Sequence, residues 1–219
     1  MSGPSEQSGW TSLFRTACRL IAEVNAEHPI IDDWSFGGGT AMMIQIDHRD
    51  SRDVDIFLPD AQLLAYLDPG KRDFTFGQPL LSYGGDGTRF LKLSFDAGEI
   101  DFIAGNFLTE QPTRSVDVEG TLTCLETIPE IIAKKIVYRG RSIKPRDIFD
   151  IAAAAEMDDG ALRSALKAHR GAVEATIVCL DRLNPSFVEA AIADLMIRDH
   201  FSHVARTALA RASAFLRSV

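Results

Sequence analysis

Apolar residues recur at helical spacing from Trp10 to His28, where Leu13, Phe14, Ala17, Leu20, Ile21 and Val24 form one stripe and Pro29 closes the run. The period then changes. Asp53 to Leu58 alternates, which puts Val54, Ile56 and Leu58 on one face of a strand and Asp53, Asp55 and Phe57 on the other. A short helix is predicted over Ala41 to Ile46, packed under the sheet, and another over Ala61 to Leu67 from Leu63, Leu64 and Leu67. Arg89 to Phe95 (RFLKLSF) and Glu99 to Ala104 (EIDFIA) alternate again, with Asp96-Ala97-Gly98 as the turn of a meander. Two weaker strands are expected. One lies near Pro79 to Tyr83, before the turn Gly84-Gly85-Asp86-Gly87, and the other is a short edge strand over Val116 to Thr123.

After Thr127 the pattern is helical. Ile128 to Tyr138 reads as a helix with Pro129 in its first turn, Arg139-Gly140-Arg141 breaks it, and Pro145 opens a second helix to Glu156. From Gly160 onward interruptions come at Gly171 and at Asn184-Pro185. The expected fold class is therefore α+β: a mixed sheet with flanking helices over 1–126, with 1–8 a flexible tail, followed by a helical bundle over 127–219.

Composition narrows the function classes. The chain is 46% hydrophobic, enough for a substantial core. With 31 acidic and 23 basic residues its formal net charge is -8, which argues against a general nucleic-acid coat but leaves room for a local basic patch. Cys18, Cys124 and Cys179 are scattered and odd in number, so neither a zinc site nor a disulfide framework is indicated. This cysteine usage makes a reduced cytoplasm the expected compartment; the start is polar with no apolar signal core, and no apolar stretch is long enough to span a bilayer. Trp10 and Trp34 are expected as core or interface aromatics.

The candidate chemistry lies in Phe36 to Leu58, FGGGTAMMIQIDHRDSRDVDIFL. Asp53 and Asp55 leave one face of a strand, and Mg2+ takes one or two protein carboxylates plus phosphate oxygens. Asp101, alternating with Ile100 and Phe102, is the expected third acid; Glu99 lies nearer the turn. The competing explanation is that exposed strand faces carry acids simply to be solvated. Gly37-Gly38-Gly39-Thr40 fits neither a Walker A loop, because no Gly-Lys-Ser/Thr follows, nor the dinucleotide spacing, because Met42 stands at the third glycine position. What remains is a strand-to-helix turn at which Gly38, Gly39 and Thr40 would hold phosphates, or else a plain tight turn.

GGGTA followed by HRDSRDVDIF resembles the nucleotidyltransferases of the AbiEii/AbiGii toxin type, within the DNA polymerase β-like superfamily. Glu130 to Ile151, EIIAKKIVYRGRSIKPRDIFDI, resembles that family's second signature: a lysine on a helix, an arginine, then Arg-Asp-x-x-Asp. These positions are Lys135, Arg139, Arg146, Asp147 and Asp150, with Lys134 the alternative to Lys135; the resemblance covers Ile30 to Ala155. Lys135, Arg139 and Arg146 make a positive cluster suited to a polyphosphate, Arg146 and Asp150 fall one turn apart, and Asp150 is expected to orient Lys135 or meet the metal. An ion-paired helical hairpin, with Asp147 simply paired to an arginine, is the structural alternative.

The resemblance implies a Mg2+-dependent transfer of a nucleoside monophosphate from a nucleoside triphosphate to an acceptor hydroxyl. It further implies a toxin with a cognate antitoxin, and an RNA acceptor such as the end of tRNA; a small acceptor such as an aminoglycoside is a variant. It also marks Ser51 as a site of inhibitory modification, against an ordinary turn serine. Two other classes stay open: a non-catalytic nucleotide-sensing or partner-binding protein on the same scaffold, and a phosphotransferase moving the γ-phosphate. Asp199, His200 and His203 have metal-ligand residue types at helical spacing, but a surface helix face is the reading favoured there.

Overall fold

The structure, a computed structural model, describes residues 9–219; the tail expected over 1–8 lies outside the described residues. The chain forms two compact units. The first takes residues up to Ala41, Ser51–Asn106 and Thr113–Glu126; the second takes Met42–Asp50, Phe107–Pro112 and Thr127–Val219. The last passage between them falls between Glu126 and Thr127, but two short earlier segments also belong to the helical unit.

The first unit is built from α1 (Gly9–Glu27), β1 (Ser35–Gly37), the start of α2 (Gly38–Ile46), β2 (Val54–Leu58), α3 (Leu64–Leu67), β3 (Ser82–Gly85), β4 (Phe90–Phe95), β5 (Gly98–Ala104), β6 (Thr113–Val118) and β7 (Thr121–Glu126). The strands form one mixed sheet in the order β3-β4-β5-β2-β1-β7-β6, with β2–β5 and β1–β7 parallel and the other neighbours antiparallel. The stripe of α1 is buried in full, and Phe14 stacks on Phe36 of β1 with ring centroids 4.9 Å apart. Each large apolar side chain buried this way stabilises the unit by about 1.5–3 kcal/mol. Trp10 and Trp34 flank that stack, 6.4 Å from Phe36 and Phe14 respectively.

Three sequence expectations change here. The single edge strand over Val116 to Thr123 is a hairpin, β6 and β7, and β7 lies inside the sheet against β1. Its two-residue turn is Glu119-Gly120, both at positive φ (52° and 81°), as tight hairpins need. Glutamate at a left-handed position is rare, which hides this turn in the sequence. The strand near Pro79 begins later, at Ser82, and draws Gly84 and Gly85 into pairing with Lys92 and Leu91. The helix over Ala61 to Leu67 starts as a 3-10 turn, where the Asp60 carboxylate accepts from the Gln62 amide at 2.8 Å.

The second unit holds α4 (Ile128–Arg139), α5 (Pro145–Leu166), α6 (Arg170–Leu180), α7 (Pro185–Ala193), α8 (Ser202–Ala205) and α9 (Ala208–Leu216). Helix α5 packs against α4, α7, α8 and α9, and its Ile148, Phe149, Ile151, Ala152 and Ala153 are buried. It runs beyond the expected end at Glu156, through a non-helical residue at Asp158 (φ -155°, ψ 86°). Gly171 sits inside α6, and the Asn184 side chain caps α7 with Pro185 in its first turn. Among the described residues no helix is long and apolar enough to cross a membrane.

Candidate active site

Strand register places the acids of the first unit in transverse rows on one face of the sheet. Lys92 lies opposite Asp101, Asp101 beside Asp55, and Asp55 opposite Gly37. One row away, Ser94 lies opposite Glu99, next to Asp53 at the entrance of β2. On the other side the row is apolar: Phe90, Ile103 and Phe57. Because side chains alternate along each strand, these rows share a face.

The glycine turn is shaped by Asp55. Helix α2 starts at Gly38, earlier than the expected Ala41, so Gly38, Gly39 and Thr40 form its first turn. Gly38 has φ +72°, and a Cβ there would lie 1.8 Å from Asp55 Oδ2. A Cβ on Gly37 would lie 2.2 Å from Glu126 Oε2 and 2.7 Å from the Phe57 ring. Only glycine permits both the backbone conformation and this approach of a carboxylate. The first-turn amides of α2 have no partners within the helix, which makes this turn suited to an anion. Thr40 is fully buried; its hydroxyl lies 2.5 Å from the Asp53 carbonyl, to which it donates, and 2.9 Å from Ser51 Oγ. It therefore ties the glycine turn to the acidic strand.

The carboxylates are not equivalent. Asp53 Oδ1 accepts from the Glu99 amide at 3.1 Å. Burial, then the neighbouring Asp55 charge, pushes Asp101 up to about 6, against the pull of Lys92. Asp101 Oδ2 is 3.5 Å from Lys92 Nζ, while its Oδ1 is buried with no hydrogen-bond partner among the described residues. Lys92 also contacts Glu99 closely, and these two acids raise its pKa although burial opposes it. Among the described residues no three His, Cys, Asp or Glu side chains close around one point as in an all-protein metal cage. Mg2+ does not need such a cage. Hard carboxylate oxygens in adjacent register, one of them buried and unsatisfied, fit an ion that takes its remaining ligands from phosphate and water.

In the second unit the other signature forms a buried ionic network. Lys135 Nζ is 2.6 Å from Asp147 Oδ1 and 3.0 Å from Asp150 Oδ2. Arg49 donates to Asp150 through Nε at 2.7 Å and Nη2 at 2.9 Å, and His48 Nε2 lies 3.0 Å from the same carboxylate. Burial alone would raise Asp150, but Lys135 and Arg49 hold it well below the usual carboxylate range. Lys134 points elsewhere, to Glu130 at 3.5 Å and the Phe107 ring at 5.5 Å, so Lys135 is the lysine that meets Asp150. Arg146, one turn before Asp150, is exposed and does not join the network; Arg139 reaches Asp147 at 3.8 Å. His203 pairs with Glu156 at 3.3 Å and His200 packs on Phe201; among the described residues no three His, Cys, Asp or Glu side chains gather there to hold a metal.

Sequence reasoning missed three participants. Lys92 stands in the middle of a clean alternation, and only register shows it facing Asp101. His48 and Arg49 had a visible signal, polar residues next to the acidic motif, but their partner is 101 or 102 residues away.

The profile of the nucleotidyl transferase AbiEii toxin family, of type IV toxin–antitoxin systems, matches residues 19–217. The chain belongs to this family. Membership makes this AbiEii protein a nucleotidyltransferase. No curated protein matches it in sequence. Among solved structures, the nucleotidyltransferase toxin MenT4 of Mycobacterium tuberculosis H37Rv superposes with a TM-score of 0.53 at 18% identity, over 98% of this chain and 86% of that one. A putative nucleotidyltransferase from H. pylori gives a TM-score of 0.48 at 17% identity, over 98% and 95%. The antibiotic-resistance factor ANT(2'')-Ia gives 0.48 at 12%, over 73% and 93%. The MenT4 match shows a shared fold for the AbiEii chain.

Proposed function

We propose that this chain is a Mg2+-dependent nucleotidyltransferase toxin that moves a nucleoside monophosphate from a nucleoside triphosphate to a hydroxyl of RNA, such as the acceptor end of tRNA. The observation that carries this reading is Asp55, set beside Asp101 across the β2–β5 pair and packed on Gly38 at the start of α2. Asp53, Asp55 and Asp101 would hold Mg2+, which when bound offsets phosphate charge and activates the attacking hydroxyl. The amides of Gly38 and Gly39 bind phosphate oxygens, and Thr40 holds the turn to the Asp53 carbonyl. The acceptor oxygen bonds to the α-phosphorus as the bond to the leaving pyrophosphate breaks. In the second unit Asp150 positions Lys135, and Lys135 with Arg146 supplies positive charge to polyphosphate.

An RNA acceptor is supported by Arg141, Lys144 and Arg146. All three are exposed, and among the described residues none has its side-chain charge in an ion pair with a carboxylate, on a chain of net charge -8. The family's toxin–antitoxin character makes a cognate antitoxin the expected protein partner. The free cysteines Cys18, Cys124 and Cys179 suit the cytoplasm, where RNA and triphosphates are found.

The test is incubation with total tRNA and each nucleoside triphosphate, labelled at the α- or γ-phosphate, with Mg2+ or with chelator. α-Label should appear on RNA only with Mg2+, and Asp55→Asn should reduce it by about 100-fold or more. Transfer of γ-label would make the protein a phosphotransferase. Nucleotide binding without any transfer would make it a nucleotide sensor on this scaffold.

A further inference from the structure

The facing residues of β4, β5 and β2, with Asp53 at the entrance of β2, carry one cation, Lys92, against four acids: Asp53, Asp55, Glu99 and Asp101. Four carboxylates on neighbouring strands repel one another strongly when no cation lies between them. The Lys92 ammonium sits within this group. It contacts Glu99 closely and reaches Asp101 Oδ2 at 3.5 Å, with its side chain 37% exposed. The ammonium is thus partly open to water while it contacts both acids. The pairing is lopsided: Glu99 also has Ser94 Oγ at 3.4 Å, whereas Asp101 keeps its buried Oδ1 without a hydrogen bond among the described residues. A single ammonium satisfies one oxygen of Asp101; a divalent ion with several empty ligand positions can satisfy more.

We propose that Lys92 is a displaceable counter-cation of the acidic face, which holds Asp101 in the metal-free protein and withdraws to Glu99 when a divalent ion takes Asp101. Lys92 is a positioning residue in this scheme and sets the affinity of the metal site by competing for it. The inference rests on the metal-binding reading above. No bond is made or broken: the ammonium leaves one carboxylate oxygen and keeps another, and the divalent ion takes its place. Removing the ammonium therefore leaves Asp101 open and the acid cluster short of charge, which favours an incoming cation. A fixed guanidinium has the opposite effect, because its fork holds a carboxylate more firmly than an ammonium does.

The experiment is Mn2+ binding to the full chain without nucleotide, followed by electron paramagnetic resonance of the free ion, with thermal unfolding measured alongside. Lys92→Met should bind Mn2+ about 1.5- to 5-fold more tightly than the wild type, the range expected for losing one partly exposed ion pair. Its Tm should be lower than wild type without metal and rise more on adding it. Lys92→Arg, which keeps the charge and serves if Lys92→Met does not fold, should bind Mn2+ more weakly. A merely structural lysine predicts that Lys92→Met binds Mn2+ equally or less tightly, and that result overturns the inference while leaving the metal site standing. Absence of Mn2+ binding in the wild type, at concentrations where Asp55→Asn also shows none, would instead overturn the metal site and the inference with it.

Discussion

At the scale of single residues, two aspartates carry opposite electrostatics. Asp101 is pushed up to about 6 from an ordinary 3.8 by burial and by Asp55. Between about pH 4 and 6 the folded chain keeps a proton there that the unfolded chain has released. The stability from that protonated form is complete below about pH 4 and is lost as pH rises through 6. Urea unfolding in chelator should show Asp101→Asn, which cannot ionise, gaining on the wild type as pH is raised from 4 to 7; a constant difference would contradict the assignment. Asp150 has the other sign. Its carboxyl is held well below 3.8 by Lys135 and Arg49, so its contribution is present above 3.8 and disappears only in stronger acid.

The residue pattern alone was enough to put Asp53 and Asp55 on one side of β2, because a two-residue period on a strand fixes which side chains share a face; that Asp101 lies beside Asp55 is a matter of register. The pattern was not enough for Lys92 either, since cross-strand neighbours depend on register and register depends on the whole sheet. The same holds for Arg49 and His48, whose partner Asp150 is far along the chain.

At the scale of elements, the strand-turn-helix of β1 and α2 is held open for a carboxylate. Gly38→Ala forces a side chain into a left-handed position and against Asp55 Oδ2, 1.8 Å from the new Cβ. The variant should lose about 1–3 kcal/mol of stability, and its labelling of RNA should fall as far as that of Asp55→Asn. Normal activity in a stable Gly38→Ala protein would show that this turn does not shape the site. The hairpin of α4 and α5 poses a different question, because Lys135 is buried between Asp147 and Asp150. Lys135→Met takes from buried Asp147 its 2.6 Å partner and leaves it Arg139 at 3.8 Å, while Asp150 keeps Arg49; the loss should cost about 3 kcal/mol. Pairing it with Asp147→Asn should return much of the Tm. Transfer should stay lost if Lys135 acts in the reaction, and should return if the lysine only balances charge.

Helix limits were legible wherever an apolar stripe met Pro or Asn, as at the end of α1 and the start of α7. They failed where a local rule was broken. The Glu119-Gly120 turn uses a residue that rarely adopts positive φ, and α5 continues through Asp158 because Leu162 and Leu166 keep its face buried beyond the break.

At the scale of the whole molecule, the RNA acceptor proposed above requires a local surface of the opposite sign on an acidic chain. Arg141 and Lys144 are the exposed cations offered for it. Changing both to alanine should weaken tRNA binding, and should flatten its dependence on the logarithm of salt by about 1.5, the effect of two lost phosphate contacts. Nucleotide binding should not change. An unaltered salt slope would place the RNA elsewhere.

The sequence by itself determined the family, the division into an α+β part and a helical part, and the residue types that can hold metal and phosphate. These are local properties: periodicity, turn chemistry and short motifs act within a few residues. Only the tertiary structure decided which of those groups meet. It set Asp55 between Gly38 and Asp101, placed Lys92 among the acids, and gave Asp150 to Arg49 and Lys135 rather than to Arg146. The physical reason is that charge and hydrogen bonding act through distance in space, and those distances are set by strand register and helix packing, not by separation along the chain.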